Sequence, residues 1–120
     1  MINKVYSILK ALNIPVKYML RPELNSKNKI VASYHFFSEG YETYGDGKGK
    51  EFGGSLQVDI FSTVDYTSIV DQTMFLLESN GFRLADSRDS FDSLNANTQY
   101  YQKTMVFNYI ESGVRNGSKN

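Results

Sequence analysis

Hydrophobic positions along this chain change period several times, and each change marks an element. Val5, Ile8, Leu9 and Leu12 fall at i, i+3, i+4 and i+7, one face of a helix. The spacing predicts a helix over residues 3–13, with Asn3 as N-cap and Asn13 with Pro15 closing it. Val16–Leu20 follows as a short strand, and Arg21–Lys29 as a polar, basic loop around Pro22. Ile30–Phe37 is dense in β-branched and aromatic residues and predicts a strand. The next segment, residues 38–51, carries four glycines and six charges and predicts a long, mobile hairpin loop with Tyr41 and Tyr44 at its base.

Alternation becomes regular again from Leu56, where Leu56, Val58 and Ile60 face one way and Gln57 and Asp59 the other. Asp65 is placed to cap a helix beginning at Tyr66, with Val64 and Ile69 as a hydrophobic staple. Its inward stripe is Tyr66, Ile69, Val70, Thr73 and Leu77, and Asn80-Gly81 ends it, the glycine suiting a left-handed terminal position. Phe82–Ala85 predicts a strand, Asp86–Thr98 a polar connection, and Tyr100–Ile110 a long strand with Tyr101, Met105, Phe107 and Tyr109 on one face. The order α-β-β-β-α-β-β predicts an α+β fold: a mostly antiparallel sheet of four to five strands with two helices packed on one face. Residues 1–112 are expected to form a single domain, and the polar residues 113–120 a disordered tail.

Composition adds two things. Nine Tyr and eight Phe accompany no Trp, more aromatic surface than a core of 120 residues requires, so several are expected to meet a partner. Net charge is zero but segregated: residues 1–35 carry six Lys/Arg against one acid (+5), residues 36–98 carry four against eleven (−7), and the remainder restores +2. Such a chain can pair head to tail with copies of itself, or the two regions can lie side by side in one fold and cancel. With no cysteine there is neither a disulfide framework nor a thiolate nucleophile, and no apolar run reaches 18 residues. The expectation is a soluble protein made in the cytosol, with no membrane partner.

Residues equipped for chemistry are sparse. His35, the only histidine, sits inside a strand with no carboxylate or nucleophile at a telling spacing, so a structural role is expected. Asp86, Asp89 and Asp92 resemble a calcium loop only loosely, lacking the central glycine and the bidentate glutamate; turn-forming aspartates are the simpler reading. Gly45–Lys50 lacks phosphate-loop spacing, and no helix follows it. The six bases of residues 1–35 form no Lys/Arg run, and the sequence pI near 6.6 argues against a dedicated nucleic-acid binder. No catalytic residue, cofactor or metal is expected.

Tyr44-Gly45, the segment Leu56–Phe61 (LQVDIF), Asn80–Arg88 (NGFRLADSR) after the second helix, and Asn97-Thr98-Gln99 leading into Thr104–Tyr109 (TMVFNY) make an ordered succession. It resembles the tail-terminator, or tail-completion, proteins of long, non-contractile-tailed bacteriophages and prophages of Gram-positive hosts. The resemblance is better from about Tyr41 to Ile110 than over residues 1–35, and no single motif in it is diagnostic.

The resemblance implies an α+β virion protein without catalytic residues or cofactor. It implies a hexameric ring on the last ring of the tail tube, which stops tube growth and presents a surface to the head-side connector. Its partners would be itself, the tail-tube protein and the connector or stopper protein, with assembly in the host cytoplasm and a final place at the head–tail junction. The loop would take part in ring or axial contacts: Tyr41, Tyr44 and Phe52 as anchors, Asp46, Lys48 and Lys50 at its tip. Asp86 and Arg88 are a candidate subunit contact, or simply a local ion pair on an exposed turn. Another neck, connector or minor tail component fits the same features. So, less well, does a small-ligand-binding α+β domain, or a sheet binding single-stranded nucleic acid through Tyr34, Phe36 and Tyr101.

Overall fold

Five strands form one sheet in the computed structural model, which describes residues 1–43 and 50–118. The strands are β1 (Val16–Tyr18), β2 (Ile30–Thr43), β3 (Lys50–Ser62), β4 (Arg83–Asn95) and β5 (Thr98–Ile110), in the order β1-β2-β3-β5-β4. Only β1 runs parallel to its neighbour; the other pairings are antiparallel. The helices are α1 (Ile2–Leu9, continued by a 3-10 turn at Lys10–Leu12), α2 (Thr67–Ser79) and α3 (Glu111–Ser118). The predicted α+β class is what forms, with a third helix added.

Alternation along the strands decides which face the helices cover. Tyr34 of β2, Leu56, Val58 and Ile60 of β3, and Met105, Phe107 and Tyr109 of β5 all point to one side. There they meet Val5, Ile8, Leu9 and Leu12 from the first helix and Val70 and Leu77 from α2. Each fully buried side chain of this kind contributes about 1.5–3 kcal/mol. The opposite face has a smaller apolar cluster, Leu24, Val31 and Phe61 with Leu94 and Tyr100, and Arg21 lies over the rings of Phe61 and Tyr100.

Helix ends follow local chemistry with three departures. α2 finishes in a Schellman motif: Phe82 N–H donates to the Leu77 carbonyl and Gly81 N–H to that of Glu78, with Gly81 at φ 93°. Asn13 is left-handed (φ 58°) where the first helix stops. Asp65 is not the cap: α2 starts at Thr67 with Tyr66 in the N-cap position and no side-chain cap bond, and Asp65, one residue earlier, accepts the Thr67 N–H at 3.0 Å. Asn3, however, is inside α1, its carbonyl accepting from the Ser7 hydroxyl, because the helix starts at Ile2 with no side-chain cap. Val64 is exposed and outside the core, so no staple forms; Ser62 Oγ instead accepts its N–H.

Three sequence expectations are corrected. Of residues 38–51, those through Thr43 and from Lys50 are strand, since β2 and β3 stay paired from Ile30–Ser62 out to Thr43–Lys50 around a one-residue bulge at Ser38–Glu39; the rest lie outside the described residues. The connection over Asp86–Thr98 is also strand, and the β4–β5 hairpin turns only at Ala96-Asn97, where Asn95 Oδ1 accepts the Asn97 N–H. Of residues 113–120, expected to be disordered, those through Ser118 belong to α3, with Val114 fully buried against the core.

These extensions elongate the molecule. The β2–β3 hairpin runs past the last β5 pair, Gly53–Ile110, while the β4–β5 hairpin runs past Ser62–Tyr101 at the other end. Two arms thus leave one sheet in opposite directions. Principal extents are 57 × 26 × 20 Å, and the radius of gyration is 15.6 Å, against about 14 Å for a compact chain of this length. No helix among the described residues is long and apolar enough to cross a membrane.

Candidate functional site

The β2–β3 arm carries the first candidate surface. Tyr41 and Phe52 are register partners whose rings meet edge to face at 5.1 Å, and Tyr41 remains 71% exposed. Lys50 pairs with Thr43. Tyr44, Asp46 and Lys48 lie outside the described residues. At the root of the arm is a cavity of about 540 Å³, lined among others by Ser38, Tyr41, Ser55, Arg83 and Asn108. Nothing in the sequence reading anticipated it. A side chain at Gly53 would run into the Tyr109 carbonyl of β5, so strand contact there requires glycine.

Tyr109 buttresses the same region from the helix side. Its hydroxyl donates to Glu39 at 3.1 Å across the β2 bulge. Burial, reinforced by that carboxylate, pushes the phenol far above its ordinary range, so it stays a protonated donor.

Strand β4 is the second surface. Asp86 and Arg88 pair at 3.3 Å, both well exposed, which matches the local-ion-pair reading; a bond of this kind is worth at most about 1 kcal/mol. They do not converge with Tyr41 and Phe52. Asp86 lies in the row of Val106 and Gln57, five residues along β3 from Phe52 and two strands over, or about 17 Å along the strand direction. Nor do the three aspartates form a loop. Asp86 and Asp92 project on one face of β4 and Asp89 on the other, and no metal-holding cluster occurs among the described residues.

Asp89 has a different task. It accepts the Tyr66 hydroxyl at 2.6 Å and the Lys103 ammonium at 3.2 Å, tying the start of α2 to the β4–β5 hairpin. The Tyr66 hydrogen bond, with Lys103 beside it, holds the carboxyl below its ordinary value of 3.8. A depressed folded value contributes stability present at neutral pH and lost as acid protonates the group below that ordinary value. Asp89 is largely exposed, so the contribution is small. Asp89→Asn is expected to be slightly less stable than wild type at pH 7, the two melting curves converging as the pH falls below 3.8.

The sheet face away from the helices is polar at its centre. Asp59, 5% exposed, accepts from Thr104 Oγ1 at 2.6 Å, Gln57 Nε2 at 3.0 Å and Gln102 Nε2 at 3.1 Å. Those three donors satisfy the buried carboxylate, and none of them is a nucleophile or proton shuttle poised for reaction. His35 stacks loosely beside Phe37, its ring 6.2 Å away.

Comparison with known proteins finds likenesses among solved structures. A chain in the solved virion of a native gene transfer agent particle superposes with a TM-score of 0.41 at 10% identity, covering 88% of this chain and 90% of that one. A likeness that loose carries nothing about function. No protein-family model matches the chain, and no curated protein matches it.

Proposed function

We propose that this chain is a non-catalytic virion protein that forms a ring capping the tail tube, stops its polymerisation and offers the surface to which the head-side connector attaches. The reading starts from the ordered residue succession that resembles tail terminators. The geometric observation that carries it is the pair of hairpin arms leaving opposite ends of one sheet. A terminator has to engage the tube on one side and the connector on the other, and keep its flanks for neighbouring subunits. The β2–β3 arm, with exposed Tyr41 set against Phe52, supplies one axial contact, and the β4–β5 arm with Phe91 and Tyr101 supplies the other.

Tail-tube protein polymerised with and without this chain tests the reading by electron microscopy. Tubes of limited length with density on one end are expected. Tubes of unchanged length and bare ends would overturn it. Removing Asp46–Lys50 is expected to leave the fold intact and to abolish head joining, read as loss of infectious particles.

A further inference from the structure

The strand order separates part of the chain's charge in space. β1 and β4 are the two outer strands of the sheet. α1 packs on β1 and α2 on β4, and the two helices also meet each other over the sheet, so only the outer strands and their adjoining loops stand apart, residues 16–30 at one edge and residues 83–95 at the other. The first set carries four bases against Glu23, net +3; the second carries three acids against Arg83 and Arg88, net −1. At its edges the sheet therefore keeps the bases of β1 and its loop away from the aspartates of β4. Lys17, Lys27 and Lys29 are exposed, and the two ion pairs among the described residues, Arg88–Asp86 and Lys103–Asp89, involve none of them.

Each flank also holds exposed apolar surface. Where β1 ends, Leu20 N–H donates to the Tyr18 carbonyl at 2.8 Å across Met19, whose φ is 67°. That is the rarer, positive-φ form of the γ-turn, a strained one for a side chain of this size. It holds Met19 and Leu20 outward, each 67% exposed. On the other flank, Leu84 and Phe91 stand exposed on β4, whose outer edge is unpaired along the regular stretch Asp86–Ser93. A long open edge without lysine or proline is a site that natural sheets normally block.

We propose that the β1 flank of one copy docks on the β4 flank of the next, a head-to-tail contact in which Lys17 and Lys29 face Asp86 and Asp92 while Met19-Leu20 packs toward Phe91. The occupant of each flank is a second copy of this chain. Because the two patches differ, the contact is heterologous and propagates until it closes into a ring. This deepens the terminator reading and rests on it for its setting, though the contact is measurable without any tube.

The test uses two charge-swapped full-length chains. One carries Lys17→Glu and Lys29→Glu, the other Asp86→Lys and Asp92→Lys. Each faces only like charge in its own company, yet each matches the other at both flanks. By light scattering at low salt, wild type is expected to form a multi-subunit species that dissociates at 1 M salt, where the Debye length falls to about 3 Å. Each swapped chain alone should be monomeric with a wild-type circular dichroism spectrum, and an equimolar mixture should regain the large species.

Swapped chains that assemble like wild type, or a mixture that stays monomeric, overturn the proposal. So does a wild type that remains monomeric, and if that monomer is retained on heparin the basic flank belongs to a polyanion instead. The function fails separately: a wild type that assembles through these flanks but leaves tube length unchanged is no terminator, and one that caps tubes as well when swapped has its ring contact elsewhere.

Discussion

Phe82→Ala is expected to destabilise the protein by about 3–5 kcal/mol, lowering Tm on the order of 10–20 °C. Phe82 is 1% exposed, its ring centroid 5.5 Å from that of Tyr109, and it belongs to the cluster that joins helices to sheet. Its backbone completes the Schellman motif by donating to Leu77, so the position of the ring is set by how α2 ends. Truncation removes the side chain while the backbone hydrogen bond stays, leaving a void between the end of α2 and β5 that the strands are too firmly paired to collapse. Phe82→Leu fills most of that void and is expected to cost under about 1.5 kcal/mol. Urea and thermal unfolding of both variants check this. Equal, small losses for the two would mean the ring is not packed as described.

One residue earlier the constraint is on the backbone. Gly81 holds φ 93°, and a β-carbon there would approach the Gly113 carbonyl to 2.9 Å. Gly81→Val therefore combines a conformation costing a branched residue about 1–3 kcal/mol with a collision against α3. A loss of at least about 2 kcal/mol is expected on those grounds. Gly113 is the matched control: a β-carbon there meets nothing within 4 Å. Since alanine favours a helix over glycine by about 0.5–1 kcal/mol, Gly113→Ala should be neutral or stabilising. Should α3 be only a loose tail, Gly113→Ala would change nothing and Gly81→Val would lose only its backbone component. The pair of melts therefore tests whether the last helix is docked.

Elements with a core to face were legible in the residues. α1 and α2 have stripes at helical spacing, β3 and β5 alternate with one apolar face, and Asn80-Gly81 announces a helix end by its chemistry. The arms were not legible for the opposite reason. Asp86–Ser93 alternates between two polar faces, because a strand that is an outer edge and then leaves the helix layer has no core on either side. Its pattern looks like a loop while its hydrogen bonds to β5 make it a strand. Glycines and charges hid the outer part of the β2–β3 hairpin in the same way. α3 was missed because, among its described side chains, a single buried residue, Val114, anchors it, and one position has no period.

The candidate surfaces divide along the same line. That Tyr41 and Phe52 belong together, and that bases precede acids along the chain, can be read from residue order alone. That Lys17 and the aspartates of β4 stand at opposite edges of the sheet depends on the strand order β1-β2-β3-β5-β4, which puts the first strand and the fourth at opposite edges. The Tyr66–Asp89–Lys103 link and the three donors around Asp59 likewise join residues from different elements. By itself the sequence determined the elements that pack on the core and the face each of them buries, since these depend on neighbours within a few residues. Only the tertiary structure decided which side chains meet across the sheet and which edges stay open, because pairing between distant strands places together what the chain keeps apart.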